Sequence, residues 1–273
     1  MGCVNVITGL PRSGSTLLCN ILNQNPEFHA SSTSGILQVL RAMQHQITTS
    51  DEFKSYAIND RSKVEQFAGL AMQSVVEKWY DEEIKAGKTV FDKCRGWSHN
   101  SALLRHLYPQ SKMIVTVRDL RGVFGSVEKQ HRKTALWDAT VNQHEQTVAK
   151  RAENMFAIEG LLGSCIQGID DLQNRVVPDV LYVRIEDLTS EPSTEMAKIY
   201  DFLELDAFDH NLELVTDTAE DVDQLYNNKF PHHGNAGAVK PMKPRDWESI
   251  ISGNISDNIT NLFPEFQKRF RYY

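Results

Sequence analysis

The residues best equipped for chemistry are Gly9-Leu10-Pro11-Arg12-Ser13-Gly14-Ser15-Thr16, which bring glycines, hydroxyls and one forked cation into a single turn. Backbone N–H groups of such a turn, and of a helix that follows it, converge on one anion. The spacing from Gly9 to Thr16 fits the P-loop pattern except at Ser15, where that pattern has the lysine that reaches the β- and γ-phosphates of a nucleoside triphosphate. This argues against an ordinary ATPase or kinase. Arg12 is the cation the loop itself supplies, and its guanidinium suits a phosphate-like group. Two further cations, Lys93 and Arg118, close the short apolar runs Thr89-Val90-Phe91 and Met113-Ile114-Val115-Thr116-Val117. Two cationic strand ends beside the cradle, at three successive strands of one sheet, describe a ligand with more than one anionic group.

Those residues need elements to hold them. Val4, Val6 and Ile7 predict a strand entering the loop, and Leu17, Leu18, Ile21 and Leu22 fall on one face of a helix leaving it. Residues 29–35 are polar and predict a flexible loop after Asn25-Pro26. Helices are expected over 36–43, 51–58 and about 62–85, the last with a buried stripe of Val64, Phe67, Leu70, Ala71, Ser74, Val75 and Trp79. Strands over 88–92 and 113–117 alternate with helices over 102–108 and from Val123, the latter carrying Ser126. A long helical stretch over 138–167 buries Val148, Ala152, Met155, Ile158 and Leu162, a strand covers 180–183, and a helix 193–203. Residues 227–243 predict a long mobile loop, and 247–266 a helical ending. Repeated strand, charged end and helix make a parallel sheet wrapped by helices.

Composition narrows the classes. The 273 residues suit one α/β domain spanning 1–273. With 29 Lys+Arg against 36 Asp+Glu the net charge is -7, so no nucleic-acid partner is expected and any anion site is a local arrangement. Cys3, Cys19, Cys94 and Cys165 have no zinc-like spacing, and His232-His233 lacks a third ligand at suitable spacing, so no metal is expected. Scattered cysteines, with neither a signal peptide nor an apolar run of ~20 residues, predict a cytoplasmic or otherwise soluble chain with no membrane span.

Taken together, these motifs resemble the sulfotransferases that use 3'-phosphoadenosine-5'-phosphosulfate, particularly the tyrosylprotein-type and related bacterial branch. Pro11-Arg12-Ser13-Gly14-Ser15-Thr16-Leu17-Leu18 is similar to that family's loop for the 5'-phosphosulfate, and Val117-Arg118-Asp119 with Ser126 to its 3'-phosphate motif. Arg184-Ile185-Glu186-Asp187-Leu188, Pro192 and Asp201-Phe202-Leu203 resemble its late strand-and-helix segment. The resemblance implies a three-layer α/β/α fold of the P-loop nucleoside triphosphate hydrolase type, with a parallel sheet of about five strands. It implies that Pro11, Arg12, Ser13, Gly14, Ser15 and Thr16 hold the 5'-phosphosulfate while Arg118 and Ser126 hold the 3'-phosphate. Lys93 and Arg12 would stabilise charge as adenosine 3',5'-bisphosphate leaves. Lys240 and Lys243 are loosely similar to the family's late basic loop over the nucleotide.

The chain departs from the family where a base is expected. Ser32 and Thr33 occupy the stretch of the tyrosylprotein-type glutamate pair, Arg95 stands where the cytosolic branch has histidine, and Ile185 replaces a common tyrosine. Asp92 and His99 are the nearest candidate bases by sequence. The expected function is transfer of a sulfuryl group to a hydroxyl, or an amine, of a small molecule, carbohydrate or peptide. The alternatives are a phosphotransferase of nucleotide-kinase type and a non-catalytic protein that binds the donor or its bisphosphate product.

Overall fold

The computed structural model describes residues 4–138, 147–174, 179–219 and 236–272. Its centre is β1 (Val4–Gly9), which runs through the loop into α1 (Ser15–Leu22). Then come β2 (Phe28–Thr33), α2 (Ile36–Thr49), α3 (Asp51–Asn59), α4 (Arg61–Trp79), α5 (Asp81–Lys85) and β3 (Thr89–Lys93). A 3-10 turn, Arg95–Asn100, leads to α6 (Ser101–Leu107), β4 (Met113–Val117) and α7 (Leu120–Asp138). The remaining elements are α8 (Val148–Phe156), α9 (Leu161–Asn174), β5 (Val180–Arg184), α10 (Ile185–Ser190), α11 (Pro192–Leu203), α12 (Gly253–Leu262) and α13 (Pro264–Arg269).

The five strands are parallel in the order β2-β3-β1-β4-β5. β1 therefore lies between β3 and β4, and the C-terminal ends of these three neighbours form one edge where the loop, Lys93 and Arg118 meet. Side-chain alternation divides the core into two layers. Val4, Val6, Val90, Met113, Val115 and Val117 pack with α2, α4, α6, α7, α9 and the C-terminal helices. Ile7, Phe91 and Ile114 face the other way, against α1 and α11. The result is the three-layer parallel α/β/α fold with five strands that the sequence predicts.

Several local expectations need correction. Residues 28–33 form the edge strand β2, not a loop: Phe28 and Ala30 are buried, and the register shifts between Ala30 and Thr33. Where the ladder shifts, the Ser31 hydroxyl accepts the Lys93 N–H at 3.0 Å, so a serine does strand work and the composition reads as loop. α2 extends to Thr49. The helix expected over 62–85 breaks at Tyr80, whose hydroxyl donates to Asp92. Its buried face is Met72, Val76 and Tyr80, while Phe67, Leu70 and Trp79 of the predicted stripe are exposed.

Of the helical stretch expected over 138–167, residues 139–146 lie outside the described residues; Asp138 ends α7, and the remainder holds α8 and the start of α9, joined by a tight turn. A Cβ at Gly160 would stand 2.2 Å from the Asn154 carbonyl oxygen, and one at Gly163 would stand 2.0 Å from that of Ala157; Ile158 in the turn is exposed. Residues 227–235 of the expected mobile loop, including Lys229, His232 and His233, lie outside the described residues. Gly237 beyond them bridges Val215. No described helix is long and apolar enough to cross a membrane.

Candidate active site

The loop after β1 is shaped by close backbone approach. Gly9 has φ +132°, and a Cβ there would fall 2.1 Å from the Thr116 carbonyl oxygen; Gly14 has φ +80°, and its Cβ would fall 2.0 Å from Ile185 Cδ1. Positive φ favours glycine at both positions, and at Gly9 the Thr116 backbone also leaves no room for a Cβ. Between them Arg12 adopts φ +59°, a left-handed conformation uncommon for a side chain of this size. Ser13 is buried: its hydroxyl donates to the Leu10 carbonyl at 2.6 Å and pairs with the Thr116 hydroxyl at 2.7 Å. The Ser13 side chain thus fastens the loop to β4, leaving its backbone for an anion. Gly14 is the N-cap of α1 and supplies no side-chain cap, so the positive end of the helix lies at the loop.

On one side of the loop stands Lys93, buried at the end of β3, with Nζ 3.0 Å from the Thr16 hydroxyl. On the other side Arg118, also buried, donates from Nη1 to the Arg12 carbonyl at 3.1 Å, while Arg12 Nε approaches the Ser126 hydroxyl at 3.3 Å. Arg12 thus shares one patch with Arg118 and Ser126, which lie more than a hundred residues further along the chain. Burial pulls the Arg118 guanidinium down from the ordinary arginine value, and the carboxylates of Asp246, Glu186 and Asp119 oppose that shift. Asp246 is the nearest of them in ion-pair contact, 3.6 Å from Nη2.

The profile of the sulfotransferase family matches residues 6–210, about three quarters of the sequence. The chain belongs to the sulfotransferase family. Protein-tyrosine sulfotransferase 2 of Gallus gallus is 26% identical over 213 residues, 77% of this chain and 54% of that protein. The chain therefore spans about half the length of this curated relative. Two solved sulfotransferases share the fold. The sulfotransferase domain of the Synechococcus PCC 7002 olefin synthase superposes with a TM-score of 0.56 at 19% identity, covering 97% of this chain and 94% of that one. Mouse sulfotransferase SULT7A1, complexed with PAP, gives 0.52 at 13% identity, covering 97% and 84%.

Within this sulfotransferase framework the two candidate bases occupy unlike places. Asp92 is fully buried and accepts from the Tyr80 hydroxyl on one oxygen and from Trp97 Nε1, at 2.6 Å, on the other. Both oxygens are engaged in the core. His99 is exposed on the 3-10 turn, its Nε2 3.4 Å from the Ser164 hydroxyl of α9. Its contacts are therefore with α9. Lys240 and Lys243 are exposed on the segment leading to Asp246, and Met242 between them donates its N–H to Thr189 of α10 at 3.4 Å. Thr33 pairs in register with Lys93 at the strand ends.

Sequence reasoning missed Thr116, Asp246 and Ser31. Thr116 carried a signal, being the one hydroxyl in an otherwise apolar strand. Asp246 reaches Arg118 across more than a hundred residues, and no local pattern marks that contact.

Proposed function

We propose that this chain is a sulfotransferase that takes the sulfuryl group of 3'-phosphoadenosine-5'-phosphosulfate to a hydroxyl, or an amine, of an acceptor. The observation that carries the reading is the junction of Arg12 with Ser126 and Arg118 on one side of the loop, with Lys93 at Thr16 on the other. This donor set suits a ligand with two separated anionic groups and no triphosphate. Bound there, the donor supplies a sulfuryl group whose bond to the bisphosphate breaks during transfer. Arg12 and the N–H groups from Ser13 to Thr16 would bind the 5'-phosphosulfate, and Arg118 with Ser126 the 3'-phosphate. Lys93 would place positive charge at the bridging oxygen as the bisphosphate departs. Transfer to peptide tyrosine is left outside the proposal because Ser32 and Thr33 stand where the branch has its glutamates.

Calorimetry with adenosine 3',5'-bisphosphate and ATP, together with an acceptor screen using radiolabelled donor, tests this reading. Bisphosphate-selective binding is expected, and transfer should fall ~10²–10⁴-fold in Lys93→Ala with bisphosphate binding retained. ATP-selective binding overturns the donor assignment, and transfer unaffected by Lys93→Ala overturns the role of that lysine.

A further inference from the structure

Beside the candidate 3'-phosphate site lies a closed ring of hydrogen bonds that none of the motifs announces. The Asp119 N–H, which belongs to the peptide leaving Arg118, donates to Glu186 Oε1 at 3.1 Å. Glu186 Oε2 accepts from the Tyr272 hydroxyl at 2.9 Å. The Tyr272 carbonyl accepts from Arg121 Nη2 at 3.2 Å, and Arg121 returns to the start by gripping both oxygens of Asp119, at 2.9 and 2.7 Å. Tyr272 and Arg121 are buried. Two cation–π contacts brace the ring: Arg184 lies 4.8 Å from the Tyr272 ring centroid and Arg121 lies 4.7 Å from that of Trp247. Trp247 follows Asp246, the residue paired with Arg118.

We propose that Tyr272 is a positioning residue for the 3'-phosphate site, fixing through Glu186 and Arg121 the backbone from which Arg118 projects. The inference rests on the reading of Arg118 and Ser126 as that site. A guanidinium forms directional bonds only if its Cα–Cβ vector is held. Here the vector is set by the peptide that Glu186 receives, and Glu186 is in turn held by a phenol on a distant segment. The Tyr272 phenol remains a donor, because burial and the Glu186 carboxylate both raise its ionisation well above the ordinary tyrosine value.

The test is calorimetry on wild type and Tyr272→Phe with two ligands, adenosine 3',5'-bisphosphate and adenosine 5'-phosphosulfate, which lacks the 3'-phosphate. The ring of Phe keeps the stack on Arg184 and removes only the hydroxyl. Affinity for the bisphosphate should fall about 3- to 10-fold, with that for the phosphosulfate unchanged. Unchanged bisphosphate affinity, or equal weakening of both ligands, overturns the inference. A wild type that does not prefer the bisphosphate overturns the underlying 3'-phosphate reading, and the inference with it, so the two failures are distinct. If Tyr272→Phe does not fold, Glu186→Gln weakens the same link from the other side and is judged by the same ratio.

Discussion

Replacing Asp92 by asparagine separates a carboxylate that holds the fold from one that moves a proton. Its oxygens accept from the Tyr80 hydroxyl and from Trp97 Nε1, and neither reaches solvent. Hydrogen bonds to a buried charge contribute about 1.5–3 kcal/mol each and neutral ones about 0.5–1.5. Asparagine can turn its oxygen to Trp97, which is only a donor, and its amide to the Tyr80 oxygen. The loss is then about 1 kcal/mol per bond, about 2 kcal/mol together. Alanine would leave the Tyr80 and Trp97 donors without an acceptor, at about 1–3 kcal/mol each. For a domain of this size 1 kcal/mol moves Tm by roughly 2 °C, so Asp92→Asn should melt about 4 °C low and Asp92→Ala, with two donors orphaned, about 4–12 °C low. Thermal unfolding by circular dichroism reads these shifts, and transfer from radiolabelled donor well below Tm should stay within about threefold of wild type for Asp92→Asn. A variant that melts like wild type yet loses ~10² or more in kcat would refute the structural role and make Asp92 a base.

Two further outcomes follow from the geometry. Gly14→Ala forces a Cβ against Ile185 at φ +80°, which costs about 1–2 kcal/mol in backbone alone. Bisphosphate affinity should drop, and Gly14→Ala with Ile185→Ala should recover the steric part; a double variant no tighter than the single one contradicts this. Glu128 is buried between Arg151 and Arg132; burial pushes its pKa up, and the hydrogen bonds from the two arginines outweigh burial and hold it below the ordinary value. A depressed folded-state value means stability that is fully present above the unfolded pKa of about 4.3 and lost as pH falls through the folded one. Urea unfolding between pH 6 and 3 should therefore show wild type losing more stability than Glu128→Gln, although the variant is weaker at pH 7. Parallel pH profiles would remove Glu128 as the cause.

The alternation of β1, β3, β4 and β5 with helices, and the glycine-bearing turn between β1 and α1, were legible in the sequence because both are local. β-branched runs make strands, the glycines at 9 and 14 are favoured by positive φ, and the cations Lys93 and Arg118 sit where their strands end. Parallel pairing then needed only the repeated alternation of strand and helix. The sequence also marked Ser126, since it belongs to the helix that begins just after Arg118.

What the tertiary structure alone decided concerns partners remote in the chain. Whether residues 28–33 were loop or edge strand depended on β3 offering a free edge, and on Ser31 taking a ladder position from Lys93. Which face of α4 was buried depended on α2 and α6 packing against it, so Phe67, Leu70 and Trp79 point outward despite a helical apolar stripe. Asp92 looked like a base from its place beside Lys93 and became a buried acceptor only once Tyr80 and Trp97 closed on it. The bonds that link Asp119, Glu186, Arg121 and Tyr272 have no sequence period at all, because hydrogen bonds between distant segments are chosen by the packed sheet and not by spacing.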